Sequence, residues 1–128
     1  MLRFLSGLFT KISGARRDER LYAEIDALTL KLHIDQQQDL CVIDVRNPHE
    51  FSGEIGHIKG ARNAPLGELP SHLANLSELR DQAIVVVCLT DKRSLQAINL
   101  MHAEGYTKLT LLRGGMKGWS DAQLVVER

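Results

Sequence analysis

Two short apolar runs punctuate the chain, Leu40-Cys41-Val42-Ile43-Asp44-Val45 and Ala83-Ile84-Val85-Val86-Val87-Cys88, and Thr107 to Leu112 reads as a third strand. The first two are continuous rather than alternating, apart from the acid Asp44, the pattern of strands buried on both faces of a parallel sheet. Helical spacing lies between them. Ile25, Leu28 and Leu32 predict a helix over Leu21 to Ile34. Leu95, Ile98 and Met101 place one apolar face on a helix over Lys92 to Glu104, with Gly105 as its stop signal. The leucines of Gly67 to Leu79 predict a helix interrupted near Pro70. Asn47-Pro48 forces a turn, because the residue before proline avoids the helical region. Gly53, Gly56 and Gly60 mark a loop-rich excursion, and Gly114-Gly115 turns the chain into a short segment around Trp119. Strands alternating with helices predict an α/β domain whose central, mostly parallel sheet is flanked by helices.

The first 20 residues break this pattern. Phe4, Leu5, Leu8, Phe9 and Ile12 fall on one helical face, Arg3, Lys11, Arg16 and Arg17 have no acid among them, and Arg16-Arg17-Asp18-Glu19-Arg20 is a charged break. Residues 1–20 are expected to be an amphipathic segment and linker, and residues 21–128 the folded domain. Residues 1–17 read as a membrane-surface helix, a partner-docking helix or a cleaved targeting peptide, or more plainly as a helix covering the domain or a frayed terminus. A secretory signal is not expected, since Lys11 follows too short an apolar core.

Composition narrows the function classes. Lys plus Arg equals Asp plus Glu at 16 each, which gives no basic surface for nucleic acid. Aromatics are only 5% of residues, so the core must be mainly aliphatic. Cys41 and Cys88 lack the even, close spacing of a disulfide framework, and no His/Cys cluster suggests a metal. Cys41, inside an apolar run, reads as a buried inert thiol. His33, His49, His72 and His102 have no ligand-like spacing. A reduced, cytoplasmic protein is expected, membrane-peripheral if the first segment binds a surface.

The candidate chemistry is at Cys88. A thiol at the carboxyl end of a strand, followed by a short polar loop and a helix, sits where open α/β sheets hold their ligands. Loop amides and the helix start can converge there and favour the thiolate, the reactive form of the thiol. Leu89, Thr90, Asp91, Lys92 and Arg93 are the expected cradle, with Arg93 either a fork for an oxyanion or the partner of a structural carboxylate. The loop from Cys88 to Arg93 is six residues long.

Three stretches resemble the rhodanese family of sulfurtransferases. Asp44-Val45-Arg46-Asn47-Pro48-His49-Glu50-Phe51, continuing into Gly56-His57-Ile58-Lys59-Gly60-Ala61-Arg62-Asn63-Ala64-Pro65, is similar to the family's opening signature. Cys88 to Ser94 is similar to its active loop, and Leu111-Leu112-Arg113-Gly114-Gly115-Met116-Lys117-Gly118-Trp119 to its closing motif. Together they cover about residues 40–120, in order. The resemblance implies a rhodanese-like fold in which Cys88 takes a sulfane sulfur from a small donor such as thiosulfate or a persulfide. A thiol acceptor, cyanide or a sulfur-relay protein would then receive it, with no metal or organic cofactor.

One residue departs from the family pattern. The usual loop glycine is Asp91 here, and a carboxylate close to the sulfur should weaken thiosulfate use in favour of a persulfide or protein donor. The Cys-dependent phosphatases and arsenate reductases of similar fold hold an oxyanion in a longer loop, so this shorter one favours sulfur. A non-catalytic interaction module and a sulfur carrier stay open as alternatives. Asp44, Arg46 and Glu50 read as an ion-pair and turn network bracing the strand ends, His57 as a loop histidine bonded to backbone or a general base. Trp119 reads as packing, or as a wall of the pocket approached through Gly114 and Gly115.

Overall fold

The computed structural model describes residues 21–128; the amphipathic segment expected over residues 1–17 lies outside the described residues. Five strands, β1 (Ala23–Ile25), β2 (Cys41–Asp44), β3 (Arg62–Asn63), β4 (Ile84–Val87) and β5 (Leu109–Leu112), form one sheet in the order β1-β5-β4-β2-β3. Every pairing is parallel. The helices are α1 (Ala27–Asp35), α2 (Pro48–Phe51), α3 (Leu69–Asn75), α4 (Lys92–Ala103) and α5 (Gly115–Asp121).

Side-chain alternation along β4 divides the core into two layers. Ile84, Val86 and Cys88 pack with Leu69 and Leu73 of α3 and with Ala97, Ile98 and Met101 of α4. Val85 and Val87 pack with Leu30 of α1 and with Met116 and Trp119 of α5. Each residue of β4 is fully buried, as its unbroken apolar run requires. The result is a helix–sheet–helix sandwich.

Three local expectations need correction. The helix expected from Leu21 begins instead at Ala27, because Ala23 and Ile25 are buried on either side of Glu24 and pair with β5 as a strand. Asp26 then caps the helix, its Oδ1 accepting from Thr29 N at 2.8 Å. That register buries Ala27 and Leu30 and leaves Leu28 and Leu32, expected on the inner face, 65% and 53% exposed. The helix expected over Gly67 to Leu79 is broken at both ends of α3, into 3-10 turns over Leu66–Glu68 and Ser77–Leu79, and not within it. Pro70 lies in the first turn of α3, where a missing N–H costs no helical bond. Cys41 is half-buried at the start of β2 rather than enclosed, and burial pushes its thiol up against the opposing pull of Arg62.

Candidate active site

The strand order sets the location of the site. From β2 the chain moves outward to β3, and from β4 it moves the other way to β5. The loops leaving these adjacent strands therefore diverge, and a crevice opens at their carboxyl ends. Cys88 follows β4 directly and is 1% exposed. Its Sγ accepts the N–H of Ser94 at 3.3 Å.

Ser94 is the third residue of α4, and the first N–H groups of a helix have no partner within it. Asp91 occupies the N-cap position, where an aspartate ordinarily accepts from an N–H two or three residues on. Here its side chain makes no cap bond; Oδ1 accepts instead from Gly114 N at 2.9 Å. With the carboxylate drawn away, the Ser94 N–H is left for the sulfur. Among the described residues no amide of Leu89 to Arg93 bonds to Sγ, so the donor lies one residue beyond the cradle expected from the sequence. The signal was present: a helix starting at Lys92 makes Ser94 the third residue of its first turn. Among the described residues the Ser94 Oγ, buried, has no hydrogen-bond partner.

The start of α5 closes the other side of the loop. Met116 N donates to Cys88 O at 2.8 Å and Lys117 N to Leu89 O at 2.9 Å. Between these bonds and the loop sits Gly115, at φ +57°, where a Cβ would lie 2.5 Å from Cys88 O. Trp119 is buried in the α1–α5 layer and donates from Nε1 to Val125 O at 3.0 Å, a packing role.

On the β2 side, Arg46 and Asp44 form a fully buried pair, Nη2 to Oδ2 at 2.8 Å, and the same Nη2 donates to Gly56 O at 2.7 Å. Asn63 Nδ2 donates to the carbonyls of Asp44 and Arg46, at 3.0 and 2.9 Å, and fixes the strand end. Glu50 crosses the crevice: its carboxylate accepts from both terminal nitrogens of Arg93, at 2.7 and 3.0 Å, and from Asn47 N at 3.1 Å. Arg93 is thus engaged with a carboxylate rather than free for an oxyanion. His57 donates from Nδ1 to Phe51 O at 2.7 Å and stacks on the Phe51 ring at 3.7 Å. Its backbone pairs with Glu127 through two bonds of 2.8 Å. A cavity of about 320 Å³ lies between the walls, lined by Arg46, Glu50, Glu54, Ile55 and Leu89 among others. Among the described residues no cluster of His, Cys, Asp and Glu could hold a metal, and no helix is long and apolar enough to cross a membrane.

The Glu50–Arg93 fork predicts a pH dependence. The guanidinium, and secondarily the Asn47 N–H, hold the Glu50 carboxyl down at about 2 against its ordinary 4.5. A folded-state value below the unfolded one stabilises the fold above the unfolded value, and that contribution is lost as pH falls through the folded one. The melting-temperature difference between the wild type and Glu50→Gln is therefore expected to be constant near neutrality and to shrink between about pH 4.5 and pH 2. A difference that stays constant through that window would show that the fork carries no such linkage.

Comparison with known proteins assigns the family. Residues 26–122 match the model of the rhodanese-like domain. The uncharacterized protein YqhL of Bacillus subtilis is 40% identical over 79 residues, which are 61% of this chain and 59% of that protein, so the chain spans less than two thirds of its length. A protein of Allochromatium vinosum named sulfurtransferase is 30% identical over 97 residues, 76% of this chain and 87% of that protein. The solution structure of the rhodanese-like domain from the Anabaena protein Alr3790 is similar with a TM-score of 0.69 at 27% identity, over 77% of this chain and 74% of that one. With the family model covering most of the chain and both loops of the crevice, this protein belongs to the rhodanese-like family.

Proposed function

We propose that this protein is a sulfurtransferase that carries a sulfane sulfur on Cys88. Family membership and the sulfurtransferase relative support sulfur transfer in general. The observation that carries the finer reading is the Cys88 sulfur itself, placed at the crevice and accepting the otherwise unpaired Ser94 N–H. A helix-start amide aimed at sulfur can stabilise the negative charge that develops there during transfer.

The transfer runs in two displacements. The Cys88 thiolate attacks the sulfane sulfur of the donor; a new S–S bond forms, the donor's S–S bond breaks, and the remainder leaves with the electron pair. An acceptor thiolate then attacks the outer sulfur of the Cys88 persulfide, and Cys88 leaves as thiolate. Two steps with a covalent intermediate imply ping-pong kinetics. In this scheme the loop amides of Leu89 to Arg93, none of them bonded to Sγ, are left to the outer sulfur. The Glu50–Arg93 ion pair ties the two loops together, and the buried Asp44–Arg46 pair braces the β2 side. His57, donating from Nδ1 to the Phe51 carbonyl and with Nε2 3.9 Å from Glu127 Oε1, braces the β2-side loop.

Intact mass spectrometry tests the reading. Incubation with thiosulfate or a low-molecular-weight persulfide is expected to add one sulfur, about 32 Da, on the peptide containing Cys88, and a thiol acceptor is expected to remove it. An unmodified mass with every donor would leave the fold serving as an interaction module.

A further inference from the structure

Asp91 holds a position in the site that placement of the sulfur does not by itself explain. It lies half-buried in the loop three residues after Cys88, and its Oδ1 accepts from Gly114 N at 2.9 Å. That bond orients the carboxylate without neutralising it, since an amide offers a dipole and not a charge. The nearby cations are engaged elsewhere. Arg93 places both terminal nitrogens on Glu50, and Arg46 is held by Asp44 at 2.8 Å. Among the described residues no cation pairs with Asp91, nor with Glu54 on the wall of the adjoining cavity. Lys92, exposed at the first position of α4, is the unpaired cation of the loop. Among the described residues two carboxylates without a cation partner, Asp91 in the Cys88 loop and Glu54 on the cavity wall, thus stand against one unpaired cation, Lys92.

We propose that Asp91 makes this site selective for sulfur donors of low charge, by keeping an uncompensated carboxylate in the loop that follows Cys88. The inference rests on the sulfur-transfer reading and names the substrate class. In the loading step Cys88 forms a bond to the sulfane sulfur and the donor's S–S bond breaks. With thiosulfate, a dianion, sulfite leaves with the electron pair. With methanethiosulfonate, a monoanion of similar reactivity, methanesulfinate leaves in the same way. Coulomb repulsion from a fixed carboxylate scales with the donor's charge, so it opposes the dianion about twice as strongly as the monoanion.

Asp91→Asn is the informative variant, because an amide oxygen still accepts from Gly114 N while the charge is gone. It is expected to raise kcat/KM for thiosulfate roughly three- to tenfold, and for methanethiosulfonate by about the square root of that factor. The preference for the monoanion therefore falls. Raising ionic strength from about 0.05 to 0.5 M is expected to speed thiosulfate loading more in the wild type than in Asp91→Asn, since only the wild type has that charge to screen. A merely structural role would lower both donors by the same factor; Asp91→Ala, which loses the Gly114 bond as well as the charge, is expected to lower both rates while still shifting their ratio toward thiosulfate. If the wild type loads sulfur but Asp91→Asn leaves both the donor ratio and the salt dependence unchanged, the selectivity assigned to Asp91 is wrong. If neither of these donors nor a persulfide loads Cys88 in the wild type, the sulfur-transfer reading falls, and this inference with it.

Discussion

Replacing Cys88 with serine is expected to lower sulfur turnover by at least about a thousandfold while leaving the fold nearly as stable as before. The two halves of this expectation have separate causes. A serine hydroxyl is no match for a thiolate as a nucleophile at neutral pH, so the covalent route is closed. The side chain's structural contacts are nevertheless conserved. Cys88 is 1% exposed and accepts one hydrogen bond, from Ser94 N at 3.3 Å, which a serine oxygen can also accept. The neighbouring bond from Met116 N, at 2.8 Å, goes to the Cys88 carbonyl and is indifferent to the side chain. Melting temperature is therefore expected to fall by no more than a few degrees, corresponding to about 1 kcal/mol or less. Turnover and thermal unfolding of the two proteins, measured side by side, separate a nucleophile from a packing thiol. A Cys88→Ser protein that unfolds like the wild type and still transfers sulfur would refute the assignment of the nucleophile.

The parts of this architecture that were legible in the sequence are those fixed by local pattern. Nearly unbroken apolar runs announced β2 and β4, since a strand covered on both faces has no polar side to alternate. Gly105, at φ +94°, ended α4 where a C-terminal glycine should. Other parts were not readable locally. β1 is three residues long and β3 two, and each is a strand only because a long neighbour lends it hydrogen bonds. Leu28 and Leu32 had the spacing of a buried face, yet the cap at Asp26 turned the helix to bury Ala27 and Leu30 instead. In the site, the position of Cys88 followed from strand, loop and helix in succession. The partners of its loop did not. Glu50 meets Arg93 across 43 residues and Asp91 meets Gly114 across 23, distances over which one-dimensional pattern carries no pairing. The diversion of the Asp91 side chain, and hence the freedom of the Ser94 N–H, depends on a tertiary contact with the β5–α5 turn.

That turn carries the second large expected effect. Gly115→Ala is expected to destabilise the protein by about 3 kcal/mol or more and to cut sulfur turnover by at least about a hundredfold. Two penalties act at once. The backbone at Gly115 has φ +57°, a region where an L side chain costs about 1–2 kcal/mol. The added Cβ would also stand 2.5 Å from Cys88 O and 2.6 Å from the Leu89 carbonyl carbon, inside contact distance of atoms that cannot rotate away. Relief requires the loop and the start of α5 to separate, which strains the bonds from Met116 N and Lys117 N to the Cys88 and Leu89 carbonyls. Those bonds fix the loop on which the thiol is held, and a displacement of about 1 Å at a reacting centre commonly costs a hundredfold in rate. Gly114→Ala is the matched comparison. Gly114 has φ +82°, but the nearest atom to its added Cβ would be Gly118 Cα at 3.7 Å, an ordinary contact. It therefore incurs the conformational penalty without pushing the loop, and is expected to lose stability while keeping most of its turnover. Equal turnover in the two alanine variants would mean that close packing of Gly115 against the Cys88 loop does not position the nucleophile. A loss confined to Gly115→Ala would place the turn among the determinants of the site, through the backbone that meets there.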